Sequence, residues 1–252
     1  MIFVYHEIVP GECPYTYSTT CQQFEEHLSF LAGLNPAISV TFDDGHASHY
    51  LYARELLAKY SVNATFFVSV GFIGSRADHM TWEQVRSLRT AGHSIQSHGW
   101  SHKMLTLCSE AQLIEELSRS KRVLEDRLSS TVDALALPNG AATDRVLHAC
   151  ANAGYTRVYN SNPWSRRTEA HGIEVIGRLN VRRTMTPADL ERLIRAEQRP
   201  LATVRLSYAL RRSLRRAIGE RLYHFLWCAL TKQSVQDEIA RSYGAGATER
   251  NW

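Results

Sequence analysis

Residues 37–45 read AISVTFDDG, an apolar stretch that ends in two adjacent carboxylates and a glycine. The apolar and β-branched residues over 37–42 predict a strand that is buried inside a sheet. Asp43, Asp44 and Gly45 then follow at the carboxyl end of that strand. Adjacent residues that leave a strand point in different directions, so one carboxylate can bind a cation while its neighbour stays free as a base. Taken alone, Asp-Asp-Gly is also typical of a surface turn.

The rest of the chain alternates short β-rich runs with helical patterns. Strands are predicted at 2–5, 63–70, 93–96, 132–137, 155–159 and 173–181, and helices at 22–33, 49–60, from Thr81 to before Gly92, at 109–128 with Ser109 as its cap, and at 142–153. Regular βα alternation favours a parallel sheet or an α/β barrel. In such folds the loops at the carboxyl ends of the strands carry the chemistry, so a functional motif should directly follow a strand.

A second motif, His98-Gly99-Trp100-Ser101-His102, follows the strand predicted at 93–96. It places two imidazoles four residues apart, and on one helical turn or in a tight loop this spacing brings both rings to one point. Two histidines and an aspartate leave coordination positions open, which is typical of a catalytic rather than a structural metal. Zn²⁺ is the first choice for these ligand types, and iron, cobalt and manganese are alternatives.

Together, TFDDG at 41–45 and SHGWSH at 97–102 resemble the polysaccharide deacetylase (NodB-homology, carbohydrate esterase) family. Its members are metal-dependent carbohydrate deacetylases built on a distorted (β/α) barrel, so the resemblance implies an α/β fold of that type. It covers residues 1 to about 195 and includes further landmarks: Tyr5-His6, FEEHL at 24–28, NATFFV at 63–68, MTW at 80–82 and the PNG of LALPNG at 135–140.

The resemblance implies a metal-dependent hydrolase that removes acetyl groups from N-acetylated amino sugars of a polysaccharide, an oligosaccharide or a glycolipid precursor. Asp43 would be the catalytic base, and the metal ligands would be Asp44, His98 and His102. Two alternatives stay open. One is an amide or imide hydrolase that acts on a non-sugar substrate, and the other is a family member that binds glycans without catalysis.

The third motif departs from the family pattern at one position. The resemblance implies that Pro138, Asn139 and Gly140 form a substrate-binding loop in which the backbone N–H of Asn139 faces the oxyanion. Many members carry an arginine two residues before the proline, where it pairs with the base, but this chain has Ala136. Arg178, in the last predicted strand, is the candidate for the missing cation on the substrate side of the site.

The general acid is the second departure. The usual acid is a histidine in a late Leu-x-x-His-like motif, and residues 173–184 contain no histidine. Some members that resemble poly-N-acetylglucosamine deacetylases carry this histidine in an N-terminal Tyr-His motif, so we expect His6 to be the acid. The alternative for His6 is a core histidine bonded to the backbone. Trp164 is a candidate either for stacking on a sugar ring or for packing.

The composition excludes several classes of protein. The chain has 252 residues, of which 44% are apolar and 21% charged, and this is enough for one sizeable core and excludes a disordered chain. Five scattered cysteines without a Cys-x-x-Cys pair indicate neither a thiolate zinc site nor a disulfide framework. The opening MIFVYHEIVP resembles neither a secretory signal nor a membrane anchor. We therefore expect a cytoplasmic protein.

Residues 205–232 differ from the preceding chain, so we predict a deacetylase domain at 1–200 and a basic helical extension at 201–252. The segment 205–232 carries six Arg and one Lys against one Glu, a net charge of +6. Its apolar residues recur at helical spacing: Leu206, Leu210, Leu214, Ala217, Ile218, Leu222 and Phe225. The simplest interpretation is a terminal helix whose apolar face packs on the core. The alternative is peripheral contact with the inner face of an anionic membrane. Nucleic acid is not an expected partner.

Overall fold

The computed structural model describes residues 1–11, 15–34, 38–164, 167–195, 198–219, 222, 223, 225 and 226. The strands are β1 (Ile2–Tyr5), β2 (Glu7–Val9), β3 (Ser18–Thr20), β4 (Ser39–Phe42), β5 (Ala64–Val68), β6 (Ser94–Ser97), β7 (Ala134–Ala136), β8 (Arg157–Asn160), β9 (Arg167–Ala170), β10 (Ile173–Gly177) and β11 (Leu179–Asn180). The helices are α1 (Cys21–Ala32), α2 (Arg54–Lys59), α3 (Trp82–Thr90), α4 (Glu110–Leu128), α5 (Asp144–Asn152), α6 (Pro187–Ile194) and α7 (Gln198–Ile218). A π-helical turn, His49–Ala53, leads into α2.

Nine of the described strands form one sheet in the order β11-β1-β4-β5-β6-β7-β8-β10-β9. Neighbouring strands are parallel except in the β9–β10 hairpin. β10 pairs with β8 and ends at Gly177, whereas β11 pairs with β1 and begins at Leu179. Arg178 therefore links β10, the strand beside the β9 edge, to β11, the edge strand at the other end of the order, and the sheet curls into the distorted α/β barrel that the sequence predicts. The single strand predicted over 173–181 is wrong, because its two halves pair with opposite ends of the sheet.

Hydroxyl side chains fix where five of the described helices begin. Each cap accepts a hydrogen bond from a backbone N–H of the first helical turn, which would otherwise have no partner. The caps are Thr20 of α1, Thr81 of α3, Ser109 of α4, Thr143 of α5 and Thr186 of α6. The predicted caps Thr81 and Ser109 are thus confirmed. Gly92, just beyond α3, has the predicted left-handed conformation, with φ of +93°.

Aromatic rings fill the core between the sheet and α1. The rings of Phe42 on β4 and Phe66 on β5 stack with their centroids 4.7 Å apart. Phe24 of α1 meets Phe42 edge-on at 5.6 Å and Tyr5 of β1 at 5.0 Å. All four side chains are fully buried, and such rings dominate the free energy of core packing. This core fixes the ends of β1, β4 and β5 relative to one another, and those ends carry the site.

The three described cysteines, Cys21, Cys108 and Cys150, are free thiols. No helix among the described residues combines the length and the apolar character needed to cross a bilayer.

The C-terminal basic segment is helical over most of its described part. Its leucine face is exposed to solvent, whereas the simplest interpretation of the sequence places that face on the core. α7 begins at Gln198, before the predicted start at 205, and ends at Ile218. Leu206, Leu210 and Leu214 are 61%, 62% and 46% exposed, so the prediction that these leucines pack on the core is wrong.

Polar and aromatic residues attach α7 to the barrel instead. Tyr208 meets the ring of Trp164 edge-on at 5.9 Å, and the guanidinium of Arg205 lies 5.5 Å from the same ring. The part of the predicted helix at 220, 221, 224 and 227–232 lies outside the described residues. The predicted domain boundary at residue 200 stays a prediction.

The aromatic stack predicts a large effect of one substitution on stability. Phe66→Ala should lower the free energy of unfolding by about 3–5 kcal/mol, because it removes a buried ring and leaves a cavity beside Phe42. Leu51→Ala, at an exposed position, should change it by less than about 0.5 kcal/mol. Urea unfolding of both variants measures the difference. Equal losses would contradict the placement of Phe66 in the core.

Candidate metal centre and active site

Asp44, His98 and His102 converge at the carboxyl ends of the strands. Asp44 lies two residues beyond β4, and His98 directly follows β6. The Nε2 atoms of His98 and His102 lie 3.3 Å and 3.1 Å from Oδ1 of Asp44. One ligand atom from each residue can be chosen so that all three lie within 4.8 Å of one another. The structure thus brings together the three side chains that the sequence suggests as metal ligands.

The geometry of this triad fits a divalent cation. Ligand atoms at about 2.0–2.1 Å from a tetrahedral zinc are about 3.3 Å apart, close to the separations between the imidazoles and Asp44. Nδ1 of His98 lies 2.8 Å from the carbonyl oxygen of Ala136 and can donate its proton there, which leaves Nε2 as the atom with a free lone pair. Burial raises the pKa of Asp44, but His102 and His98 lower it further, so its pKa lies well below the ordinary value. Asp44 is therefore an anion beside two imidazole nitrogens.

The main-chain ladders extend past the strands and set the positions of the site residues. The N–H of Asp43 donates to the carbonyl of Tyr5 at 3.0 Å, which continues the β1–β4 register by one residue. The N–H of His98 donates to the carbonyl of Val68 at 2.8 Å and extends β6 in the same way. Regular strand pairing therefore fixes these backbones up to the residues that would carry the chemistry.

Three site residues have a left-handed backbone. Asp44, His102 and Asn139 have φ of 77°, 56° and 59°, and they are half of the six described non-glycine residues with positive φ. Such conformations cost on the order of 1–3 kcal/mol and persist only where the surrounding structure enforces them. Their concentration at one site indicates that the fold maintains strained turns there.

Asp43 is held by Arg178, the residue between β10 and β11. Nη1 and Nη2 of Arg178 donate to the two carboxylate oxygens of Asp43 at 2.7 Å and 2.6 Å, and both side chains are buried. Nη1 also donates to Oγ1 of Thr41 at 3.2 Å. Burial raises the pKa of Asp43, but Arg178 and then His98 outweigh it, so the net pKa is lowered. Arg178 is thus the cationic partner of Asp43, and its role as a substitute for the arginine missing at Ala136 stays a prediction.

A cavity of about 470 Å³ joins the metal triad to its surroundings. Seven residues singled out from the sequence line it: His6, Asp43, Asp44, His98, His102, Asn139 and Gly140. Pro138, Trp164 and Arg178 are not among the described lining residues. Arg178 lies behind Asp43, and Trp164 packs against Tyr208. The structure therefore gives no support for direct substrate contact by these three residues.

The third motif forms a tight turn at the cavity wall. Pro138–Gly140 is a tight turn in which both Asn139 and Gly140 have a positive φ, 59° and 64°. A Cβ on Gly140 would lie 2.8 Å from the backbone nitrogen of Ser161, closer than such atoms approach, so only glycine fits. Nδ2 of Asn139 is buried and makes no hydrogen bond to a described residue. The role of the Asn139 backbone N–H as an oxyanion donor stays a prediction.

His6 lies between β1 and β2 with its ring on the cavity. The ring is 5.2 Å from that of Tyr17, and the His6 carbonyl accepts a hydrogen bond from Nε2 of His49. Its Nδ1 is buried without a hydrogen bond to a described residue, so no backbone bond holds this atom. Burial lowers the pKa of His6, and Asp44 and Asp43 raise it to a smaller extent. The net pKa of His6 is therefore lowered, which favours the neutral imidazole in the unliganded site.

Several cavity residues were not predicted from the sequence. His46 and His79 line the wall beside Asp44, and Nδ1 of His79 pairs with Asp78 at 2.8 Å. His79 could have been predicted from the aspartate-histidine pair that directly precedes the MTW motif at 80–82. Tyr15 and Tyr17, which precede β3, also line the cavity. α7 contributes four more lining residues, and only the folded structure shows that they lie there: Tyr208, Arg211, Arg212 and Arg215.

Glu116 on α4 connects the core to the loop that carries His102. Its Oε2 accepts hydrogen bonds from the backbone N–H groups of Trp100 and Ser101, both at 2.9 Å, and its Oε1 accepts one from the Ser101 hydroxyl. Glu116 is buried, and Lys103 lies 3.9 Å away. This carboxylate therefore fixes the loop between the two histidines.

Comparison with known proteins agrees with this geometry. The profile of the family described as polysaccharide deacetylase matches residues 33–158, half of the chain. The chain belongs to the polysaccharide deacetylase family. Among curated relatives, the polysaccharide deacetylase homologue YxkH of Bacillus subtilis is 26% identical over 64% of this chain and 64% of its own. Peptidoglycan-N-acetylglucosamine deacetylase PgdA of Listeria monocytogenes is 29% identical over 46% of this chain and 24% of its own.

Among solved structures, the deacetylase PplD of Streptococcus pyogenes in complex with acetate has the same fold. Its TM-score is 0.69 at 24% identity, and the match covers 76% of this chain and 96% of that one. The chain spans less than two thirds of the length of the curated relatives it matches first. This chain therefore has the fold of the family to which it belongs.

The role of Glu116 predicts an effect on metal affinity. Glu116→Gln should weaken Zn²⁺ binding by about 10- to 100-fold, because the Trp100–Ser101 turn loses its charged acceptor and His102 is less well placed. Glu115→Gln, at the exposed neighbouring position on α4, is the matched control and should bind like the unchanged protein. Titration against a competing zinc chelator measures both. Equal affinities in the two variants would contradict the role of Glu116.

Proposed function

We propose that this polysaccharide deacetylase is a metal-dependent hydrolase that removes acetyl groups from N-acetylated amino sugars of a glycan or a glycolipid precursor. One observation carries the proposal: a metal triad and an arginine-held carboxylate open into the same cavity. Zn²⁺ is the cation first expected on the triad of Asp44, His98 and His102. The name of the Listeria monocytogenes relative, an N-acetylglucosamine deacetylase, supports an N-acetylated sugar as the substrate class.

In this mechanism each residue has a separate task. The bound cation would polarise the acetyl carbonyl and acidify water. Asp43 would accept the proton of the attacking water, since its lowered pKa keeps it ionised and Arg178 fixes both of its oxygens. The backbone N–H of Asn139 would stabilise the oxyanion, a contribution on the order of 3–4 kcal/mol for a well-placed donor. His6 would protonate the amine as it leaves.

The alternatives are less well supported. A non-sugar amide or imide substrate was suggested by the missing arginine at Ala136, but Arg178 supplies a cation to Asp43 from another strand. A glycan-binding protein without catalysis would not need a metal triad beside this pair. Deacetylation therefore remains the function that the geometry supports best.

Acetate release tests this proposal. Without divalent metal, acetate release from N-acetylglucosamine oligomers should fall to the blank rate, and it should return when Zn²⁺ is added. Asp43→Asn should lower kcat by about 10²–10⁴-fold while the zinc content stays unchanged, because Asp43 acts as a base and not as a ligand. Asp126→Asn, on the exposed face of α4, is the matched control. Metal-independent release, or full activity in Asp43→Asn, would contradict the mechanism.

The same assay separates two candidates for the acid. His6→Gln should lower kcat strongly, whereas exposed His148→Gln should not. If His79→Gln abolished turnover and His6→Gln did not, the acid would instead be His79, whose Nδ1 is held by Asp78.

We also propose that α7 makes peripheral contact with an anionic lipid surface. The proposal is supported by the exposed leucine face of α7 (Leu206, Leu210 and Leu214) on a helix that also carries several arginines. Exposed apolar residues along one face of a helix favour its insertion at a bilayer interface. Carbohydrate remains the substrate, and the cytoplasmic side of the membrane remains a prediction.

Vesicle flotation tests the contact. The full chain should float with phosphatidylglycerol vesicles, and Leu210→Gln combined with Leu214→Gln should reduce the floating fraction at least threefold. Leu51→Gln, at an exposed position in the turn before α2, should have no effect. Equal flotation of all three proteins would exclude contact through this helix.

A further inference from the structure

Two histidines that the proposed mechanism does not use lie beside the metal triad. His46 follows Asp44 by two residues, and both His46 and His79 line the cavity. The two residues face each other in an antiparallel bridge, and their ring centroids are 6.2 Å apart. Side chains that are directly opposite in such a pair lie on the same side of the two backbones. The two imidazoles therefore form one patch of the cavity wall.

Backbone hydrogen bonds hold this patch on both sides of the bridge. The N–H of Ala47 donates to the carbonyl of Asp78 at 2.9 Å, and the N–H of Met80 donates to the carbonyl of Gly45 at 3.0 Å. The backbones that carry the two histidines are thus fixed before a ligand arrives. Such preorganisation lowers the entropy cost of binding.

Asp78 determines which nitrogen of His79 carries the proton. Nδ1 of His79 lies 2.8 Å from a carboxylate oxygen of Asp78, and because an ionised carboxylate only accepts, Nδ1 is the donor. Burial lowers the pKa of His79, and the hydrogen bond to Asp78 raises it by a smaller amount, so the neutral ring is favoured near pH 7. A neutral imidazole with its proton on Nδ1 keeps a lone pair on Nε2. His79 therefore offers an acceptor at Nε2.

Ser48 imposes the opposite arrangement on His46. The backbone N–H of Ser48 donates to Nδ1 of His46 at 3.2 Å, and since a backbone N–H can only donate, this nitrogen is an acceptor. The Ser48 hydroxyl lies 2.8 Å from the same nitrogen and itself accepts a hydrogen bond from the N–H of Ile8 at 3.1 Å. The neutral His46 ring then carries its proton on Nε2. His46 therefore offers a donor where His79 offers an acceptor.

A neighbouring donor and acceptor without net charge match a hydroxyl group, which both donates and accepts. Two hydrogen bonds of about 2.9 Å each allow one hydroxyl, or two adjacent ones, to reach both rings across the observed separation. A second metal ion does not fit, because Nε2 of His46 presents a proton instead of a lone pair. Within the described part of the chain, the group that can hold a metal is the triad of Asp44, His98 and His102.

Building on the deacetylase function proposed above, we propose that His46 and His79 bind hydroxyl groups of the sugar that carries the acetamide. Nε2 of His46 donates to a sugar oxygen, and Nε2 of His79 accepts a hydroxyl proton. Because His46 is two residues from Asp44, a sugar bound to this pair lies next to the triad, where its acetamide would react. The pair thus selects polyhydroxylated substrates over simple amides, which carry no hydroxyl group.

Nitrogen NMR of the zinc-loaded full chain tests the arrangement without any turnover. Long-range nitrogen–proton spectra distinguish the two neutral forms of a histidine ring. We expect the proton of His46 on Nε2 and that of His79 on Nδ1. His46→Phe and His79→Phe each remove one set of signals and so assign the rings. The same protonated nitrogen in both rings would overturn the proposal.

Calorimetric titration tests the ligand. The zinc-loaded Asp43→Asn protein, which should bind the substrate without consuming it, is titrated with the trimer of N-acetylglucosamine. In this background, His46→Phe or His79→Phe should weaken binding by about 3- to 10-fold, the loss expected for one hydrogen bond. His79→Gln should keep most of the affinity, because its amide can still accept a hydrogen bond. His148→Phe, at an exposed position of α5, is the matched control and should change nothing.

Acetate separates the binding of hydroxyl groups from an effect on the metal. Since acetate carries no hydroxyl group, its affinity should be the same with and without His79→Phe. Equal losses for acetate and the trimer, equal trimer affinity in all variants, or a second bound zinc that His79→Phe removes would overturn the proposal. Unchanged melting temperatures would show that the variants are folded. Acetate release by the chain with Asp43 intact is scored separately, so the hydroxyl site and the deacetylase function can fail independently.

Discussion

The paired hydrogen bonds between Arg178 and Asp43 link the architecture of the barrel to its chemistry. Arg178 links β10 to the edge strand β11, and Asp43 extends β4, which lies two strands from that edge. A buried carboxylate without a partner would be costly, and a single arginine resolves that cost while leaving Asp43 ionised. One residue therefore lies both at the β10–β11 junction and against the carboxylate that is proposed as the base.

Local patterns were enough to predict most strands of the large sheet, two helix caps and the three residues of the candidate metal site. The Asp-Asp-Gly and His-x-x-x-His motifs each follow a strand, and parallel strands bring their carboxyl ends together whatever the details of packing. Hydroxyl caps such as Ser109 depend on neighbours in the same turn, so they too can be read from the sequence. The features that were predictable are those decided within a few residues or by the general geometry of a parallel sheet.

Features decided by distant contacts were not predictable with the same detail. Arg178 was a candidate from its residue type, but its paired geometry depends on a sheet that closes on itself. Glu116 looked like an ordinary surface residue of an amphipathic helix until its contact with the Trp100–Ser101 turn was seen. For α7 the helical period was correct, yet the period alone does not say which face meets the barrel. Rings such as Trp164 and Tyr208 decide that orientation.

The left-handed turns at Asp44, His102 and Asn139 have a consequence for how such a site can diverge. Glycine, asparagine and aspartate tolerate this backbone region best, while β-branched side chains are strongly disfavoured there. The backbone conformation alone therefore limits these positions to a few residue types, and catalysis would limit them further. A descendant that abandoned catalysis would still keep much of the appearance of an enzyme, because its backbone would continue to select the same few residues.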